Sequence, residues 1–217
     1  MSRNLNAEKL CTLSRSLFDR GYSVGGAGNV SVRTEGGGFL VTPTGGSLGR
    51  LSPADLAEIG PDGGVLEGPK PSKEFAFHKA LFDCRPDAGA IVHLHSTWLT
   101  ALSCLENLPQ DNALRPFTPY YVMRVGYMPV IPYYRPGAPE IARDLEAAAK
   151  AHPVNAFLLA SHGVVVLGKD IEDAVNNAEE LEETARLHFI LQGHQIRYLS
   201  EDEISELTPA IRRREGR

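Results

Sequence analysis

The sequence predicts an α/β protein, built as one domain over residues 1–217. Three observations carry this expectation. Short apolar or alternating runs of strand type interleave with longer stretches of helical periodicity. The composition, 42% hydrophobic and 23% charged over 217 residues, suffices for one sizeable core. No internal repeat and no long linker divides the chain.

Taken in order, Leu5 to Arg20 carries apolar residues at Leu10, Leu13, Leu17 and Phe18, which is helical spacing, and Gly21 is a natural stop. The glycine-rich turn Ser23 to Asn29 leads into alternating Val30-Ser31-Val32, a strand, returned through Gly36-Gly37-Gly38 by Phe39-Leu40-Val41. Thr42 to Ser47 is a second glycine-rich loop. Two such loops at the ends of paired strands offer N–H groups and hydroxyls to an anion, although turn chemistry explains either loop alone. Ser52 to Asp55 reads as a short helix start, Leu56 to Ile59 as a strand and Pro61 to Gly64 as a turn. The next helix runs from Pro71-Ser72-Lys73-Glu74 to about Cys84, with Ser72 as N-cap and Glu74 in the first turn. His78, one turn on, is a structural residue or a partner of Glu74.

Ala88 to Val92 reads as a buried strand running into His93-Leu94-His95, and Ser96 to Leu105 as a helix. Phe117 to Met123 is aromatic and β-prone. Val130 to Tyr134 is a short strand that Pro132 confines to an edge or end. Ala138 to Ala151 is an alanine-rich helix. Ala156 to Ala160 is a buried strand, Val164 to Leu167 continues as strand, and Ser161-His162-Gly163 is the turn between them. Asp170 to Gln192 is a long amphipathic helix, and Glu201 to Arg214 a terminal helix with a basic end.

Charge and cysteine usage narrow the function classes. The net charge of −5, from 22 Lys+Arg against 27 Asp+Glu, points away from nucleic acid, so a phosphate site must be local. Cys11, Cys84 and Cys104 are far apart and form no CxxC, which fits small buried residues in a reducing cytosol. The start is not signal-like and no run of 18 apolar residues occurs, so neither export nor a membrane is expected.

The chemistry gathers around His93 and His95. Alternation on a strand turns both to one side and Leu94 to the other. Two imidazoles so placed can grip one metal ion, although a lone HxH also fits two hydrogen-bonded, half-buried histidines. Glu74 and His162 complete a set of one oxygen and three nitrogen donors, suited to a divalent ion such as zinc. A carboxylate beside such an ion can act as general acid or base, while the ion polarises a carbonyl and stabilises an enediolate. No dinucleotide fingerprint or Walker loop is present.

Together these residues resemble the class II aldolase/adducin family. The matches are Gly28-Asn29-Val30-Ser31-Val32, Thr42-Pro43-Thr44-Gly45, Pro71-Ser72-Lys73-Glu74, His93-Leu94-His95 and His162-Gly163, in the family's order. The resemblance implies a three-layer α/β/α fold with a central, largely antiparallel sheet. It also implies a homotetramer with active sites at subunit interfaces. His93, His95 and His162 would bind a divalent metal, most simply Zn²⁺ with Mn²⁺ as alternative. Glu74 would be the acid/base and could also ligate. Asn29, Thr44, Gly45, Ser72 and Lys73 fall where the family holds a substrate phosphate. Lys73 stands where the fuculose-phosphate aldolases have a second serine, and it admits a substrate carrying more negative charge.

The chain most resembles one branch, the 3-oxo-tetronate 4-phosphate decarboxylases, on Thr44 to Leu51, Pro71 to Glu74, His93 to Thr97, Leu99 to Leu105, Thr118 to Gly126 and Glu179 to Arg186. Trp98 stands where relatives often have another histidine and is expected in the pocket wall or core. The branch implies a phosphorylated acid-sugar substrate. It implies Glu74 as proton donor, with Tyr120 or Tyr121 as a second candidate, either of which also suits interface or core packing. Arg124 suits an anionic substrate or a surface ion pair. The alternatives are a ketose 1-phosphate aldolase, a sugar-phosphate 4-epimerase (which carries Asp at the Glu74 position) and a non-catalytic adducin-like scaffold, which would lack the full donor set.

Overall fold

The computed structural model describes residues 3–152 and 154–207. Eight strands among them form one sheet: β1 (Asn29–Arg33), β2 (Phe39–Val41), β3 (Ala57–Ile59), β4 (Val65–Glu67), β5 (Ala90–Leu94), β6 (Val130–Ile131), β7 (Ala156–Leu159) and β8 (Gly163–Gly168). Their spatial order is β4-β3-β2-β1-β5-β8-β7-β6. Every neighbouring pair is antiparallel except β6 with β7. β6 is an edge strand that ends just before Pro132, where a missing N–H is harmless.

The helices are α1 (Arg3–Asp19), α2 (Phe75–Cys84), α3 (Thr97–Ser103), α4 (Pro119–Arg124), α5 (Pro139–Ala151) and α6 (Ile171–Ile190). They cover both faces of the sheet, and strand alternation explains how. Val30, Val32, Leu40, Val92, Leu94, Leu158, Val164 and Val166 face a core built with α1, α3, α4 and α6. Phe39, Val41, Ile91, Phe157, Leu159, Val165 and Leu167 face a second core built with α2 and α5. The expected three-layer α/β/α arrangement is thus present. Residues 201–207 are helical, and the rest of the expected terminal helix lies outside the described residues.

Two local expectations need correction. The β-prone segment 117–123 is a helical turn instead. Thr118 caps α4, its Oγ1 accepting from the Tyr121 N–H at 3.4 Å, and Pro119 sits at the first helical position, where its fixed φ suits a helix. Ser72 does not cap α2 directly. Glu74 occupies the N-cap position, and Ser72 braces the approach, its Oγ accepting from the Glu74 N–H at 3.3 Å.

Candidate metal centre

The site forms where β1, β5, the β7–β8 turn and the start of α2 meet. His93 lies on the α2 face of β5, directly opposite Asn29 of β1, and His95 follows just past the strand end. β8 pairs with β5 so that Leu94 stands opposite Val164, which sets the preceding turn against His95. That turn holds Ser161 at φ 52, in the left-handed region. Ser103 of α3 clamps it: its carbonyl accepts from the Ser161 N–H at 2.8 Å, and its Oγ accepts from the His162 N–H at 3.2 Å.

Two motif glycines are explained by the same close approach. A Cβ on Gly163 would lie 2.3 Å from the Leu94 carbonyl oxygen, and one on Gly28 would lie 2.7 Å from that of His93. Gly28 also adopts φ +79. A larger residue at either position would push apart the strands that carry the histidines.

Glu74, His93, His95 and His162 each present one donor atom, and these atoms all lie within 4.8 Å of one another. Glu74 Oε2 is 3.4 Å from His93 Nε2, and Glu74 Oε1 is 3.4 Å from His162 Nε2. His93 and His95 bring their Nε2 atoms to 2.9 Å. His93 Nδ1 lies 2.9 Å from the Val164 carbonyl oxygen, which can only accept. A neutral His93 therefore carries its proton on Nδ1 and aims the Nε2 lone pair into the cluster, the arrangement of a metal-binding imidazole. Burial, then the neighbouring imidazoles, holds His93 well below its ordinary pKa. Burial also lowers His95 and His162, so neutral ligands are favoured.

Glu74 Oε1 and His162 Nε2 are both buried and have no hydrogen-bond partner. Such orphaned atoms are costly unless something satisfies them. A shared divalent cation fits this donor set, with three nitrogens, one carboxylate oxygen and lone pairs converging on one small space.

The other expected residues divide. Thr44, Gly45, Ser72 and Lys73 are drawn together because Pro43 bridges to Pro71, with the Thr44 N–H donating to the Lys70 carbonyl and the Ser72 N–H to the Thr42 carbonyl, each at 3.0 Å. The first glycine-rich loop packs on the second: a Cβ on Gly26 would lie 3.4 Å from the Gly45 carbonyl oxygen. Asn29 turns its side chain to Glu74 and His78, its Nδ2 donating to Glu74 Oε2 at 2.8 Å.

The two tyrosines of α4 part company, and Tyr121 takes the packing role. It is fully buried in the core beneath α4, and its hydroxyl donates to Asn112 Oδ1 at 2.9 Å. Burial also pushes its phenol up, away from easy proton loss. Of its two suggested roles the structure gives it core packing, whereas Tyr120 is 62% exposed on α4. Trp98 is partly buried at the edge of the core and packs against Phe189 with ring centroids 5.8 Å apart. Arg124 takes the ion-pair role, 3.7 Å from Asp173.

Reasoning from sequence passed over Glu182 on α6. This buried carboxylate accepts from Ser96 Oγ at 2.6 Å and from the N–H groups of Trp98 and Leu99 at 2.8 and 3.0 Å. It caps α3 immediately after His95 and so fixes where the histidine strand ends. An acidic residue inside an amphipathic helix gave no signal, since nothing local marks it as buried.

The model of the Class II Aldolase and Adducin N-terminal domain family matches residues 8–189. The chain belongs to the class II aldolase/adducin family. It is 59% identical over 200 residues to the 3-oxo-tetronate 4-phosphate decarboxylase of Haemophilus influenzae, covering 92% of this chain and 94% of that protein. The L-fuculose phosphate aldolase of Methanocaldococcus jannaschii is 38% identical over 183 residues, 84% of this chain and 95% of the relative. The crystal structure of YgbL from Klebsiella pneumoniae superposes with a TM-score of 0.93 at 51% identity, covering 95% of this chain and 99% of that one. The family's fold is thus the one that brings the four donors together here.

Proposed function

We propose that this chain is a divalent-metal-dependent carboxy-lyase that converts 3-oxo-tetronate 4-phosphate to dihydroxyacetone phosphate and CO₂. The observation that carries the reading is the convergence of Glu74 with three imidazoles in a chain 59% identical to a decarboxylase of that name. His93, His95, His162 and Glu74 would hold the ion, Zn²⁺ first and Mn²⁺ second. When bound, the ion is a Lewis acid that withdraws electron density from the substrate ketone.

The chain's own residues then have distinct tasks. Thr44, Gly45, Ser72 and Lys73, with Asn29, receive the phosphate and orient the substrate. Cleavage of the C1–C2 bond releases CO₂ and leaves its electron pair at C2, delocalised toward the C3 oxygen. Glu74 delivers the proton that C2 then takes up, which gives the triose phosphate. Lys73 is exposed and adds a cation suited to an acidic sugar phosphate. In the proposed homotetramer, with sites at subunit interfaces, exposed Tyr120 is the tyrosine free to reach a neighbouring subunit. The free thiols of Cys11, Cys84 and Cys104 suit a reducing cytoplasm, and no helix among the described residues is long and apolar enough to cross a membrane.

The fuculose-phosphate aldolase relative keeps open a second reading, aldol cleavage of a ketose phosphate at the same centre. The test of the first is metal removal. Chelator-treated protein should release no CO₂ from 3-oxo-tetronate 4-phosphate, and one equivalent of Zn²⁺ or Mn²⁺ per chain should restore release. Full activity in protein with no bound metal by atomic absorption would refute the proposal.

A further inference from the structure

Behind Glu74 runs a chain of buried polar groups whose far members, Ser31 and His78, have no part in the reaction itself. Asn29 and Ser31 alternate on β1 and so face the same side, toward α2. His78 of α2 spans the two. Its Nδ1 lies 2.7 Å from Ser31 Oγ, and its Nε2 lies 2.5 Å from Asn29 Oδ1. Asn29 Nδ2 in turn donates to Glu74 Oε2 at 2.8 Å. All three residues are shielded from water, His78 and Ser31 completely.

We propose that Ser31, His78 and Asn29 form a positioning relay that locks Glu74 Oε2 and leaves Oε1 as the working oxygen. This rests on the role assigned to Glu74 in the proposed function. The direction of the chain is forced from the Glu74 end. A carboxylate oxygen only accepts, so Asn29 must turn its NH₂ toward Glu74 and its carbonyl toward His78. That carbonyl needs a donor, so His78 carries its proton on Nε2. His78 Nδ1 is then an acceptor, and the Ser31 hydroxyl must donate to it. Reversing any one link would place two donors or two acceptors face to face without water to relieve them. Burial supports the same assignment by keeping the imidazole neutral.

The two oxygens of Glu74 thereby differ. Oε2 is tied to the β-sheet through Asn29, whereas Oε1 has no hydrogen-bond partner and faces His162. A glutamate at a helix start, with three side-chain torsions, would otherwise sample several positions. Tethering one oxygen holds the other at the metal cluster and at the reacting carbon. His78 is thus a positioning residue that acts through Asn29 and touches neither metal nor substrate.

The test uses the full chain with His78→Leu and His78→Gln. Leucine can neither donate nor accept, while glutamine can donate to Asn29 and accept from Ser31. Equilibrium dialysis against Zn²⁺ and steady-state kinetics are measured side by side. His78→Leu should weaken Zn²⁺ binding and lower kcat by about 10–100-fold each, at a KM changed far less. His78→Gln should recover most of both losses. Unchanged Zn²⁺ affinity and kcat in His78→Leu, or a glutamine variant as impaired as the leucine one, would overturn the relay.

Should His78→Leu fail to fold, long-range ¹H–¹⁵N NMR of the wild-type chain decides instead. It should find His78 neutral and protonated on Nε2, and protonation on Nδ1 or on both nitrogens would refute the relay. If the wild-type chain releases no CO₂, the proposed function fails, but dialysis and NMR still judge the relay on their own.

Discussion

At Glu74 the two carboxylate oxygens meet different partners, Asn29 and His93 at Oε2 and His162 at Oε1. Replacing the acid with its amide keeps the shape and removes the proposed proton donor. Glu74→Gln should retain the fold and most of the bound metal while losing kcat by at least about 100-fold, measured by metal analysis beside steady-state kinetics. Near-normal turnover would reduce Glu74 to a ligand or cap. His78 makes a prediction about acid stability. Its pKa is depressed by burial from 6.5 to about 3. The unfolded chain therefore binds a proton that the folded one refuses as pH falls below 6.5, so folding stability declines toward acid. The urea midpoint should drop between about pH 7 and about pH 5, and drop less in His78→Gln. Equal acid sensitivity in the two proteins would contradict this assignment. The donor set itself was legible because strand alternation puts His93 and His95 on one side. The relay was not, because Ser31 and His78 meet only when β1 and α2 pack.

Between elements, α3 and α6 are joined by one carboxylate. Removing it through Glu182→Ala would leave the Ser96 hydroxyl and the Trp98 and Leu99 N–H groups without their acceptor. Leaving such donors unsatisfied should destabilise the protein by about 3 kcal/mol, read as a shift in the denaturant midpoint. A loss below about 0.5 kcal/mol would mean that water or another group takes over the cap. The α4 segment teaches a complementary lesson about elements. Its aromatic run, Tyr120-Tyr121-Val122, matches strand preferences, yet the Thr118-Pro119 start imposes a helical turn and the core beneath accepts Tyr121. Capping chemistry outweighed β-propensity, which reflects packing surroundings more than the backbone.

For the molecule as a whole, the strand order explains why distant motifs become one site. β1 pairs with β5, and β5 with β8, so residues 29, 93 and 162 gather although the chain separates them widely. Apart from α4, the longer helices and the central strands were readable from periodicity, but this order was not, since pairing over long separations leaves no local trace. The layered arrangement was expected only through the resemblance to a family. That same resemblance joins two chemistries at one centre, loss of CO₂ and aldol cleavage. The most direct measurement offers both to a single zinc-loaded preparation. One arm supplies 3-oxo-tetronate 4-phosphate and follows CO₂ and dihydroxyacetone phosphate, and the other supplies dihydroxyacetone phosphate with lactaldehyde or glycolaldehyde and follows condensation. The account predicts rapid CO₂ release with little condensation. Condensation without CO₂ release would contradict it and move the chain to the aldolases, with its metal cluster retained and its substrate changed.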